Sequence, residues 1–144
     1  MPSPLTERMN LIKDTLAQVA PNRVVSRDFK DFDQHTIEDL EKGVLTVISE
    51  GEAQYANSFG RQAETSKHPL VIVGQMSLAP DATGTQVEDA EFDLVEDVKA
   101  LVSSALPVDI CTLELKRFRQ SKQMDAPNCW IVCELVLDEL RGQV

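Results

Sequence analysis

The run Asn128-Cys129-Trp130-Ile131-Val132-Cys133-Glu134-Leu135-Val136-Leu137 alternates between two faces along its whole length. Successive side chains of a strand point to opposite faces, so Cys129, Ile131, Cys133, Leu135 and Leu137 share one face, while Trp130, Val132, Glu134 and Val136 share the other. Both faces are largely apolar, which suggests that the outward face is also covered, by a helix or by another subunit. The strand is expected over Asn128–Leu140, paired through a polar turn (Met124, Asp125, Ala126, Pro127) with Val108–Ser121.

Upstream, the period changes. Leu5, Met9, Ile12, Leu16 and Val19 recur at spacings of three and four, which places them on one helical face; Ser3-Pro4 starts that helix and Pro21 stops it after Ala20. Asn22–Phe29, with Val24 and Val25, reads as a short strand running into the acids Asp28, Asp31, Asp33, Glu38, Asp39 and Glu41. Thr36 caps a helical turn over Ile37–Lys42, and Gly43 supplies its exit. Strands are expected at Val44–Glu50 and His68–Leu78. The connector between them, Gly51–Lys67, is small and polar apart from Tyr55 and Phe59, and its length suggests a flexible, functional segment. After the break at Ala79–Gln86, Thr85 precedes a helix with the apolar face Val87, Leu94, Val98, Leu101, Val102 and Ala105, ended by Pro107. Its acids Glu88, Asp89, Glu91, Asp93, Glu96 and Asp97 fall on other faces, where those in the first turns complement the helix dipole. The fold class is α+β: a mixed, mainly antiparallel sheet of four to five strands packed against two amphipathic helices. The 144 residues, 42% hydrophobic, suit a single domain over 1–144.

Composition excludes several functions. Acidic residues outnumber basic ones 24 to 14, for a net charge of −10. Such a surface repels the phosphate backbone, so no specific nucleic-acid binding is expected. No apolar run approaches the ~20 residues of a membrane span, and Met1-Pro2-Ser3-Pro4 does not resemble a secretory signal, so a soluble protein made inside the cell is expected. Cys111, Cys129 and Cys133 form no CxxC pair; Cys129 and Cys133 on one strand would stand ~13 Å apart, beyond disulfide reach of ~7 Å.

Catalytic patterns are missing. His35 and His68 lack zinc spacing, no glycine-rich phosphate loop precedes a helix, and no GxSxG elbow occurs. The Asp28-x-x-Asp31-x-Asp33 series lacks the glycine and glutamate of an EF-hand loop. No enzyme, cofactor or metal site is expected. The basic island Lys116, Arg117, Arg119 and Lys122 reads as a solvated strand face or a charge-paired subunit contact.

Three sets of segments carry a resemblance: Asn10-Leu11-Ile12-Lys13-Asp14-Thr15-Leu16 at the start, Asp39-Leu40-Glu41-Lys42-Gly43 leading into Val44-Leu45-Thr46-Val47, and the strand–turn–helix from His68 to Leu106. With Cys129-Trp130-Ile131-Val132-Cys133-Glu134-Leu135 at the end, their order resembles the tail terminator (tail-completion, or minor tail) proteins of long-tailed bacteriophages. The match is one of architecture across most of the chain. It implies a virion protein, made in the host cytoplasm, that forms a sixfold homo-oligomeric ring at the head-proximal end of the tail, halts tube polymerisation and meets the head–tail connector protein. Its partners would be further copies of itself, the tail-tube protein and the connector. The 51–67 connector, with Tyr55, Phe59 and Arg61, would then dock toward the tube, and Lys116, Arg117 and Arg119 would pair with an acidic neighbour around the ring. Another neck or tail-tube ring component, or a small ligand-binding α+β domain, are the alternatives.

Overall fold

The computed structural model describes residues 3–51, 65–104 and 111–140, with side chains described throughout except at 65, 66, 111, 139 and 140. Helix α1 (Pro4–Val19) begins where Ser3 accepts a hydrogen bond from the Thr6 N–H and ends at Ala20. It buries Met9, Ile12 and Leu16. Leu5, expected on the same face, is exposed at the open first turn.

Strand β1 (Val24–Ser26) leads through a 3-10 turn (Phe32–Gln34) to α2 (Ile37–Lys42), capped by the Thr36 side chain. Gly43 follows with φ +92° and ψ +129°, so it is a positive-φ exit but not a left-handed helical one. Strands β2 (Val44–Ser49) and β3 (Thr65–Ser77) form an antiparallel pair, then α3 (Gly84–Val102) crosses to β4 (Cys111–Gln120) and β5 (Asn128–Leu140). The sheet order is β1-β2-β3-β5-β4. Only β1 and β2 run parallel. The fold is therefore α+β, with five strands.

Several boundaries differ from expectation: β1 is shorter, Val24–Ser26 rather than Asn22–Phe29, and β2 and β3 each end one residue early. Strand β3 starts at Thr65 rather than His68, because Thr65, Ser66 and Lys67 pair with Leu140, Glu139 and Asp138. The rest of the expected connector, including Tyr55, Phe59 and Arg61, lies outside the described residues. Thr83, not Thr85, caps α3: its hydroxyl accepts from the Gln86 N–H while Gln86 accepts from the Thr83 N–H, a reciprocal capping box. That start leaves no acid in the first turn, so the dipole does not account for the acids that follow. At its other end α3 stops at Val102, with Ser103 as the C-cap, ahead of Pro107.

The core lies between the helices and one face of the sheet. Met9, Ile12 and Leu16 of α1 and Leu94, Val98 and Leu101 of α3 pack against Leu45, Val47, Leu70, Ile72, Ile131 and Leu135. Gly74 completes this face because a methyl there would stand 2.7 Å from Ile131 Cγ1, closer than packed carbons approach. Arg23 ties the layers at the β1 edge, donating from Nε to Asp97 at 2.7 Å and from Nη1 to the Lys42 carbonyl at 2.7 Å.

Candidate functional interface

The outer face of the sheet carries Arg117 and Arg119, two of the residues expected to meet a partner, whereas Tyr55, Phe59 and Arg61 lie outside the described residues. Half of this face is covered by the chain itself. Gln75, 2% exposed, donates from Nε2 to the Lys30 carbonyl at 3.0 Å and shares a 3.1 Å hydrogen bond between Oε1 and His35 Nε2, which holds the segment after β1 against the strands. Leu40 of α2 is buried, as are the outward-facing Val44 and Thr46. The acids Asp28, Asp31 and Asp33 are thus carried on a clasped cover. Among the described residues no group of His, Cys, Asp or Glu is arranged to hold a metal ion.

Where the cover ends, a cleft of about 330 Å³ opens between Phe29 and Phe32 on one side and Val73, Trp130 and Val132 on the other. Its walls are mainly apolar. Two of the polar groups there are engaged within the fold, Gln75 by the clasp and the Trp130 indole N–H by Asp125 at 2.8 Å, and Asp31 adds a carboxylate to the lining. Phe29 remains 49% exposed on the rim. The covering of the apolar Trp130 face, expected from a helix or a second subunit, comes in part from the chain's own 27–43 segment.

The basic island borders this cleft on the edge strand β4. Strict alternation from the inward Leu113 and Leu115 would drive Arg117 and Arg119 into the core. A bulge prevents that: Leu115 pairs with Leu135 and Arg117 with Glu134, so Lys116 is the extra residue. The shift turns Phe118 inward, opposite Cys133, and sets Arg117 and Arg119 on the outer face opposite Glu134 and Val132. A single carboxylate serves both: Arg117 Nε donates to Glu134 Oε2 at 2.9 Å, and Arg119 Nε stands 3.7 Å from the same oxygen. Lys116 pairs with Glu114 at 3.2 Å. Two guanidinium groups on one acid leave a cationic excess, and both arginines are more than half exposed. Charges and a bulge on an unpaired edge also keep β4 from pairing with a second β4.

The structure also reveals a buried carboxylate that the sequence reading assigned to a solvated face. Glu91, 1% exposed, points between α3 and the start of the β4–β5 turn. Its Oε2 accepts from the Ser121 hydroxyl and from the Trp130 N–H at 3.0 Å, and its Oε1 accepts from Gln120 Nε2 at 3.2 Å. The signal was present: 87, 91, 94, 98 and 101 form one unbroken helical stripe, and only the residue type at 91 argued against burial. With all its partners inside the fold, Glu91 is a strut that pins α3 to the hairpin.

The remaining candidates are packed. His68, 4% exposed, bonds through Nε2 to Ser49 Oγ at 2.7 Å. Cys129 and Cys133 are free and buried in the core; burial, with Glu91 beside it, pushes the Cys129 thiol up to about 11, and burial pushes Cys133 up to about 12 against the opposing pull of Lys99. A second recess, about 660 Å³ beside the start of α3, is lined by Asp81, Asp89 and Asp93 over Met76 and Leu78.

No protein-family profile and no curated protein matches this sequence. Among the described residues no helix is long and apolar enough to cross a membrane.

Proposed function

We propose that this chain is a structural subunit that assembles with copies of itself into a ring capping the tail tube of a long-tailed bacteriophage, where it stops tube growth and receives the head connector. The observation that carries the reading is the outer sheet face, where an apolar cleft opens beside exposed arginines in a strongly acidic protein. Support also comes from the order of elements, the feature on which the sequence's resemblance to the tail terminator family rests. Exposed apolar surface rimmed by polar groups is a mark of protein contact. The same charge balance suits a ring through which DNA passes, since an acidic lumen does not grip phosphates.

The ligand-binding reading is weaker on physical grounds. A small-molecule site needs several convergent polar groups free to orient its ligand, and at the cleft Gln75 and the Trp130 indole are already paired within the fold, which leaves the Asp31 carboxylate. A neck or tail-tube ring component shares the proposed surface and differs in outcome, because a tube subunit polymerises without limit whereas a terminator closes. Replacing Arg117 and Arg119 with glutamate is expected to weaken ring formation, measured as a loss of the oligomer mass by light scattering; unchanged assembly would refute the role given to these arginines.

A further inference from the structure

The acids of α3 lack an explanation within the fold. None lies in the first turn, where the dipole acts, and apart from Glu91, Asp97 and Glu96, which pair with Ser121, Arg23 and Lys99, no hydrogen bond or ion pair engages them among the described residues. In their midst Phe92 is 42% exposed. Glu88, Phe92 and Glu96 follow one another at intervals of four, one above the next on the helix surface, with Asp89 and Asp93 alongside. An aromatic ring set among carboxylates on an outward helix face is the counterpart of an apolar cleft beside arginines.

We infer that the outward face of α3 on one copy docks onto the outer sheet face of the next, with Phe92 entering the cleft between Phe32 and Trp130 and the flanking acids meeting Arg117 and Arg119. This rests on the ring-forming reading and names the contact that would build it. The cleft supplies the buried apolar centre, and the arginines supply the charged rim that such interfaces carry. Arg119 lies directly across the strand pair from Val132 of the cleft wall, which puts rim and centre side by side. Asp31 stands on the cleft's other side and repels the acidic helix there, so one docking direction is favoured. The second copy is the occupant because its α3 matches both halves of the surface.

The geometry also sets the kind of assembly. Helices α1 and α3 cover the inner face of the sheet and the cleft opens on the outer face, so the two contact surfaces lie on opposite sides of one molecule. A contact between unlike surfaces is head-to-tail and builds a closed ring when its rotation closes, or a filament when it does not. A dimer with two identical halves is not what it gives.

That feature yields a mixing experiment with the full chain. One variant carries Arg117→Glu and Arg119→Glu, and the other carries Glu88→Lys and Glu96→Lys; all four positions are away from the core, and thermal unfolding by circular dichroism verifies that each variant folds. Mass is followed by light scattering over a concentration series, alone and with tubes of purified tail-tube protein added. Each variant alone is expected to need on the order of tenfold more protein to assemble than the unchanged chain. Mixed in equal amounts, they should assemble again, because every sheet face in an alternating ring then meets a helix of opposite charge. A Phe92→Ser chain should lose assembly irrespective of charge. If the unchanged chain forms rings and the variants do so equally well alone, or the mixture regains nothing, this contact is overturned while the ring reading stands. If assembly is open-ended but follows the mixing pattern, the contact stands and the capping reading falls. A chain that remains monomeric with and without tubes overturns both.

Discussion

At the scale of single residues, burial decides the chemistry of groups whose type suggests reactivity or solvation. Cys129 and Cys133 are raised to about 11 and about 12, so at pH 8 the thiolate fraction falls to roughly a thousandth or less, against about a tenth at their ordinary 9.0. In a Cys111→Ser background, the native protein is expected to resist a chromogenic disulfide reagent at pH 8 and to release two equivalents on unfolding; rapid native labelling would contradict the packing. The same shifts set a pH dependence. The folded pKa values lie above the unfolded one, so the neutral thiols contribute stability fully below about 9, and this contribution is lost as pH rises through about 11 and 12. Denaturant titrations of a Cys129→Ala, Cys133→Ala chain should lose less stability between pH 8 and 11 than those of the unchanged chain. Glu91 is the converse case, a buried acid held by three donors. Glu91→Ala leaves those donors buried and unpaired, and a loss of roughly 3 kcal/mol in denaturant unfolding is expected; a change under about 0.5 kcal/mol would mean that water replaces the carboxylate without cost.

Elements were legible where periodicity and punctuation agreed. Ser3-Pro4 and Pro21 bracket α1, Thr36 caps α2, and the alternation of Cys129 to Leu137 separates buried from half-buried positions along β5. The errors have physical causes. At the start of α3 two threonines compete, and Thr83 prevails because Gln86 lies three residues on and completes the box. Thr83→Ala is expected to cost about 1 kcal/mol and Thr85→Ala only a few tenths, compared by thermal or denaturant unfolding; the reverse order would move the helix start. In β4 the bulge at Lys116 does leave a mark, the change of phase in the apolar residues from Leu113 and Leu115 to Phe118, but that mark does not say which sheet face the arginines join. The basic island was therefore visible as charge but not as a surface, and its place beside the cleft came only from tertiary pairing. The cleft itself was beyond sequence reasoning because Phe29, Val73 and Trp130 belong to three separate segments.

For the whole molecule, the layers divide the charge. The α3 side presents the acids of that helix, the opposite side presents the arginines of β4 beside an apolar cleft together with the acids of the 27–43 cover, and a buried core joins the two. A molecule with unlike faces is suited to successive contacts of one kind, the requirement for a ring subunit. Assembly is tested by the solution mass of the purified chain across a concentration series, by light scattering coupled to size exclusion, repeated with tail-tube ends added. A ring subunit gives a closed oligomer of fixed size, or a monomer converted to that oligomer on tube ends. A chain that remains monomeric at every concentration and ignores tube ends would contradict the ring reading.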